Sequence, residues 1–353
     1  MPISATGRYG EGVTRIPKCR CFTVRTFSDF AGRLVLPGGH KRGEPFSLLP
    51  FQAEFVASAM AAGVHRAALT LPRGAGKSVL LGAVLAAHIH PDGPYHSDGA
   101  KIFIAASSRV QAEIVYQYMA TMIVEAGLAD ISDRKVWGRR HSNTEVSLLH
   151  RPTEASVRVL SSDPSRWYGL APTLVICDEP ASWPARKARE MIAALTTALG
   201  KQPASRVVAI GTRSSDPNLW FSRWLAGESD YAMSLGLEPG EDWKAESTWH
   251  RCNPLLAENP HLLEAYRADF RAAENDPNER AAFLALRLNS GDVETVAATV
   301  LQPDAWAAVE TEAPEPIRGG YVLAVDPSTV GWTGVAAFDP RTRTLDALSL
   351  IHI

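Results

Sequence analysis

Leu71-Pro72-Arg73-Gly74-Ala75-Gly76-Lys77-Ser78 decides how the rest of this chain reads. An apolar run, Ala67-Ala68-Leu69-Thr70-Leu71, leads into it, and an apolar helical pattern from Val79 to Ala87 follows. Strand, tight loop and helix in that order form a phosphate loop. Gly74 and Gly76 let the backbone turn its N–H groups toward phosphate oxygens at the positive end of the helix. Lys77 can reach β- and γ-phosphates, and the Ser78 hydroxyl can ligate Mg²⁺. The usual spacing is G-x-x-x-x-G-K-[ST]; here Leu71 stands at the first glycine.

A second segment, Leu174-Val175-Ile176-Cys177-Asp178-Glu179, completes the pair. The run Thr173 to Cys177 has the composition of a strand buried on both faces. Two carboxylates stand at its C-terminal end, where open α/β sheets bind ligands. Asp178 is placed to hold the Mg²⁺ shell, and Glu179 to orient and deprotonate an attacking water. The two segments together predict an ATP-hydrolysing site with Mg²⁺-ATP as its ligand.

Around these segments, strands are expected at 67–71, 101–106, 157–161, 173–177 and 206–211. Helices are expected at 51–62, 78–90, 108–126, 185–199 and 217–226. Their alternation predicts an α/β fold with a mainly parallel central sheet and flanking helices. The more polar 131–152 reads as a hairpin or loop. Residues 1–45 read as an N-terminal arm, 46–236 as the ATPase domain, and 237–318 as a linker carrying helices at 261–275 and 278–289. A new strand starts at Tyr321 to Asp326, and a second spans Gly334 to Phe338. The 353 residues, 46% hydrophobic and 21% charged, suit a globular protein of two domains or one large one. No apolar run reaches membrane-spanning length, and the N-terminus has no apolar signal core. Four cysteines at 19, 21, 177 and 252 lack zinc-pair spacing, so reduced thiols in a cytoplasm are expected. A net charge of −2 means that any nucleic-acid contact must come from local basic patches.

Taken in order, these features resemble the large terminase subunits of tailed bacteriophages and related gene-transfer particles. The Arg-Gly-x-Gly-Lys-Ser form at 73–78 is common there. Pro50-Phe51-Gln52 resembles the family's adenine-sensing segment, and Ser161 to Gly169 its Ser-rich, Arg-Gly-containing segment before the acidic strand. Ala209-Ile210-Gly211-Thr212 looks like its coupling motif. Trp249 to Pro254, Phe283 and Arg287-Leu288-Asn289 resemble the linker between motor and nuclease. Asp326, at a strand end, looks like the first metal-binding carboxylate of a ribonuclease H-like nuclease domain. The resemblance covers roughly residues 46–340. It implies ATP hydrolysis driving double-stranded DNA into a procapsid. The implied partners are a portal protein, a small terminase subunit and further copies of the chain in a ring, in the host cytoplasm. Residues 319–353 would then begin the nuclease, and Asp326 with Asp339 and Asp346 is not expected to complete a two-metal site. DNA cleavage by these residues alone is therefore not expected. A helicase-like ATPase, or an assembly protein with a vestigial ATP site, are the alternative readings.

Individual roles follow. Gln52 can pair bidentately with an adenine edge. Arg73 contacts phosphate or acts as a sensor in cis. Thr212 feels the γ-phosphate through water. Arg166 is expected to serve a neighbouring subunit's site in trans, with Arg139, Arg140, Arg151 and Arg158 as rivals. DNA contacts should fall on phosphates. One candidate is Arg134-Lys135 and Arg139-Arg140 with Trp137, and another is Lys187 with Arg189.

Overall fold

The computed structural model describes residues 27–142, 145–160, 167, 170–199 and 204–291, together with three strands between 322 and 352. The chain divides into two compact units, residues 1–296 and 297–353. In the larger unit, helix α1 (Pro50–Ala59) precedes strand β1 (Arg66–Thr70), and the loop at 71–76 leads into α2 (Lys77–Ile89). Strand β2 (Lys101–Ala105) and helix α3 (Arg109–Glu125) follow, then β3 (Trp137–His141), β4 (Val146–His150) and β5 (Ala155–Val159). Strand β6 (Leu174–Asp178), helix α4 (Ala185–Leu199), β7 (Arg206–Gly211), a short α5 (Trp220–Arg223) and β8 (Tyr231–Ser234) complete the sheet region.

Eight strands form one sheet in the order β3-β4-β5-β2-β6-β7-β1-β8. All pairings from β5 to β8 are parallel, and the β3–β4–β5 edge is antiparallel. The expected hairpin region at 131–152 is thus an extension of the central sheet. Its strands alternate, with Val146, Leu148, Ala155, Val157 and Val159 buried on one face and Ser147, Ser156 and Arg158 on the other. Strand β6 is buried along its whole length, as a strand covered on both faces must be.

Two apolar layers enclose the sheet. One contains α2 and α3, with Leu81, Leu85, Val115 and Met119 fully buried. Gly82 lets these helices approach, since a methyl there would lie 3.0 Å from Tyr118 Cβ. The other holds Trp183, Met191, Leu195, Trp220, Phe221 and Trp224. At ~1.5–3 kcal/mol for each large side chain removed from water, these layers dominate the stability of the sheet.

Three expectations need correction. Residues 27–45 are not an arm: Phe27, Phe30 and Leu34 are buried in the first apolar layer, so the chain cannot peel away there without exposing aromatic surface. Strand β8, within the expected ATPase domain, is not among the expected strands. The Glu-, Pro- and Gly-rich stretch 237–260 is not an open connection. It contains α6 (Glu246–Cys252) and packs with α7 (Pro260–Asn275), α8 (Pro277–Ala282) and a π-turn (Phe283–Arg287) around Trp249, Tyr266 and Phe283. Four aromatic rings, these three and Phe270, stack there with centroids 5.0–6.4 Å apart.

In the smaller unit, β9 (Val322–Pro327), β10 (Trp332–Asp339) and β11 (Thr344–His352) form an antiparallel sheet in the order β11-β10-β9. Asp326 lies near the end of β9, opposite Gly334 of β10.

Candidate active site at the C-terminal ends of β1, β6 and β7

The parallel strands place their C-terminal ends side by side, with β7 between β6 and β1. The loop after β1, the acidic pair after β6 and Thr212 after β7 therefore meet at one rim of the sheet. Gly74 and Gly76 have φ of +81° and +78°, the left-handed region that glycine adopts without strain. Gly74 has a second constraint: a methyl there would lie 3.0 Å from Leu262 Cδ1 of α7. Helix α2 then starts at Lys77, so its N-terminal N–H groups open into the loop.

Lys77 Nζ donates to the carbonyls of Leu71 (3.1 Å) and Pro72 (3.3 Å) and lies 3.5 Å from Glu179 Oε2. Burial holds its pKa below the ordinary lysine value, against the raising effect of Glu179. Asp178 is 8% exposed, and burial with the adjacent Glu179 charge raises its carboxyl to about 6. Glu179 adopts φ +46°, ψ 57°, a left-handed conformation rare for a residue with a side chain. Such local strain clusters where a side chain must be aimed. Three hydrogen bonds fix the turn: Glu179 N to Ile210 O (2.9 Å), Ser182 N to Glu179 O (3.0 Å) and Trp183 Nε1 to Asp178 O (3.0 Å). The carboxylate itself accepts from Thr212, both from its N–H (2.7 Å) and from its hydroxyl, at Oε1. Gly211 makes that approach possible, because a methyl there would lie 2.8 Å from Pro180 Cδ and 3.2 Å from Glu179 Cα.

The structure thus brings Lys77, Asp178, Glu179 and Thr212 together. Ser78 follows Lys77 on the first turn of α2 and is half-buried. Its hydroxyl and the Asp178 carboxylate are hard oxygen donors, the chemistry that Mg²⁺ prefers. Arg73 is exposed, and its N–H is taken by Leu286 O at 2.8 Å. That N–H is therefore unavailable to a phosphate.

Gln52 is buried beside the loop, with Nε2 3.6 Å from where a methyl on Gly76 would sit. Its Oε1 already accepts from Leu49 N (2.9 Å), closing the first turn of α1. One acceptor site of that oxygen is thus used within the protein, and its second lone pair and the amide donor remain for the expected pairing with adenine. A cavity of about 230 Å³ opens next to it, lined by Phe46, Leu49, Gln52, Gly76, Val79 and Leu255.

Other expected residues lie elsewhere. Arg166 and Ser161–Asp163 fall outside the described residues, as does the side chain of Lys187. Trp137 is 4% exposed, its ring tilted against His150 with centroids 4.7 Å apart, so it belongs to the core and not to a DNA-facing surface. Arg134, Arg139, Arg140, Arg151 and Arg158 instead line one open groove of about 830 Å³ on the β3–β4–β5 face. Sequence reasoning missed Asn289, which is fully buried with φ +52°. Its Nδ2 donates to Thr70 Oγ1 (2.9 Å) and Leu235 O (2.6 Å), and its Oδ1 accepts from Arg213 N (2.7 Å). It thereby ties the strand before the loop to the residue after Thr212. The only signal in the sequence is an Arg-Leu-Asn string in a region that reads as a linker.

Comparison with known proteins places this arrangement. The family model for the terminase large subunit, T4-like-virus type, N-terminal part, matches residues 69–293. The terminase large subunit of Enterobacteria phage HK97 is 28% identical over 232 residues, 63% of this chain and 44% of that protein. The crystal structure of the HK97 large terminase matches with a TM-score of 0.64 at 22% identity, covering 91% of this chain and 66% of that one. A large terminase from a thermophilic bacteriophage, crystallised in complex with ADP, matches at 11% identity and a TM-score of 0.45, over 82% of this chain and 65% of that one. The chain therefore spans less than half the length of its curated HK97 relative. With the family model covering most of the sheet and the helical region after it, this chain belongs to the terminase large subunit family.

Proposed function

We propose that this chain hydrolyses ATP and couples the reaction to movement of double-stranded DNA into a procapsid. The observation that carries the reading is the Thr212–Glu179–Lys77 constellation at the mouth of the loop. Triphosphate oxygens would sit over Gly74 to Ser78, facing the N-terminus of α2. Lys77 would transfer its donors from the Leu71 and Pro72 carbonyls to phosphate. Glu179, held by two hydrogen bonds from Thr212, orients a water for in-line attack on the γ-phosphate and takes its proton. Ser78 and Asp178 would hold Mg²⁺, which neutralises charge on the phosphates. The adenine base would enter the cavity beside Gln52 and accept from the amide's free donor.

The arginine groove supports the DNA half of the reading. Arg140, Ser147 and Arg158 stand in register across β3, β4 and β5. Five guanidiniums face one carboxylate there, Glu145, which pairs with Arg140 at 2.9 Å and Arg158 at 3.9 Å. The excess positive charge fits the phosphate backbone of a duplex of any sequence. Arg158 on β5 lies two strand positions from β6, roughly 10 Å, and Arg140 on β3 four positions, roughly 19 Å.

The test is ATP-dependent entry of DNA into empty shells carrying a portal, scored as nuclease-protected DNA. The expected result is protection that disappears with Lys77→Ala. Duplex unwinding without protection would replace the packaging motor with a helicase-like ATPase.

A further inference from the structure

Helices α6 to α8 and the π-turn form an apolar cluster of their own, yet they touch the phosphate loop at two points. Leu286 O takes the N–H of Arg73 at 2.8 Å, and one residue later the Arg287 side chain turns back toward Gly74. A methyl on Gly74 would lie 3.9 Å from Arg287 Nη1. The guanidinium is set in position by two contacts and the Arg287 backbone by a third. Asp269 Oδ2 accepts from Nε at 2.7 Å, the Tyr266 ring lies 5.0 Å beneath, and Tyr266 hydroxyl donates to Arg287 O at 2.8 Å. Asn253 in turn donates to the Tyr266 hydroxyl at 2.9 Å. Among the described residues, neither Nη nitrogen of Arg287 has a hydrogen-bond partner.

A cation held in orientation, with its planar donor pair aimed at the flank of a loop built for phosphates, is an anion-recognition element. We propose that Arg287 binds the γ-phosphate of the nucleotide held by this chain's own loop and so distinguishes ATP from ADP. This rests on the ATPase reading of the site. The β-phosphate is expected over Gly76 and Lys77, at the start of α2, whereas Arg287 stands at Gly74, on the side of the loop facing α7. Its contact would therefore be with the outermost phosphate. Two residues on, Asn289 holds Thr70 and Arg213 N. A change at Arg287 is thereby passed to both flanks of the site through one short turn.

The test uses the full chain and fluorescently labelled ATP and ADP, with Mg²⁺, read by titration. Arg287→Ala should weaken ATP binding by about tenfold or more, the loss expected for a charged hydrogen bond. ADP binding should change by less than about twofold, because it lacks the group that Arg287 contacts. Arg287→Lys keeps the charge without the fork and should fall between the two. Asp269→Asn weakens the contact that orients the guanidinium and should lower the ATP preference in the same direction as Arg287→Ala by a smaller factor; an unchanged preference would mean that Asp269 does not position Arg287. Thermal unfolding of each variant checks that the turn is folded; a purely structural role would weaken both nucleotides together. Lys77→Ala is the control, expected to weaken both. If Arg287→Ala leaves the ATP-to-ADP ratio unchanged while Lys77→Ala loses both nucleotides, the inference fails and the ATPase reading stands. If the unaltered chain binds neither nucleotide, both fail.

Discussion

Asp178 is an acid whose chemistry its surroundings change. Burial and the neighbouring Glu179 raise its carboxyl from an ordinary 3.8 to about 6. An acid with a raised folded-state pKa resists ionisation, so folding loses stability as pH rises from about 4 to about 6, and the loss is complete above that window. Asp178→Asn removes the charge without changing shape. It should be more stable than the unaltered chain at pH 8, by on the order of 2 kcal/mol, with the gain vanishing near pH 4. Urea titrations at the two pH values measure this, and a gain that grows toward acid would refute it. Gly211 is constrained by space, since any side chain meets Pro180 and Glu179. Gly211→Ala should displace the carboxylate and lower ATP turnover by about ten- to a hundredfold while nucleotide affinity stays within about twofold. A steady-state phosphate-release assay beside a binding titration separates the two effects.

At the scale of elements, the π-turn and the residues after it connect the helical region to the sheet. Asn289 satisfies a hydroxyl, an N–H and a carbonyl from three different strand ends. Asn289→Gly keeps the positive φ available but strands those groups, and should cost on the order of 3 kcal/mol by urea unfolding. A cost under about 1 kcal/mol would mean that water replaces the amide. This element also shows where sequence reading stops. The strand, loop and helix around Gly74, the acidic strand and the strand before Thr212 are legible because each carries a local composition tied to its own backbone geometry. The parallel order of β2, β6, β7 and β1 follows from alternating strands and helices. Residues 237–260 read as a linker because Glu, Pro, Gly and Asn dominate there. Their fold depends on Trp249 meeting Tyr266 and Phe283, contacts between residues far apart in sequence. The Arg287–Gly74 and Asn289–Thr70 approaches span more than two hundred positions, and no periodicity records them. Strand β8 escapes sequence reading for a similar reason: Tyr231 and Met233 alternate with smaller residues over only four positions.

At the scale of the whole molecule, one sheet carries the acidic pair at the end of β6 and, two to four strand positions away, roughly 10–19 Å, the basic groove of β3 to β5. In the sequence only Arg139 and Arg140 are adjacent, and the antiparallel register puts the arginines of β3, β5 and the connecting turns around one groove. Duplex binding measured by fluorescence anisotropy over a salt series should show the logarithmic salt slope falling by about 1 for each of Arg140→Ala and Arg158→Ala. An unchanged slope would move the DNA contact elsewhere. The central claim is that Glu179 activates water for a nucleotide that Lys77 helps to hold. Phosphate release and ATP affinity, measured together on the unaltered chain, Lys77→Ala and Glu179→Gln, test it most directly. Lys77→Ala should lose affinity and turnover together, whereas Glu179→Gln should keep near-normal affinity and lose turnover by about a hundredfold or more. A Glu179→Gln chain that hydrolyses ATP at the unaltered rate would contradict the assignment.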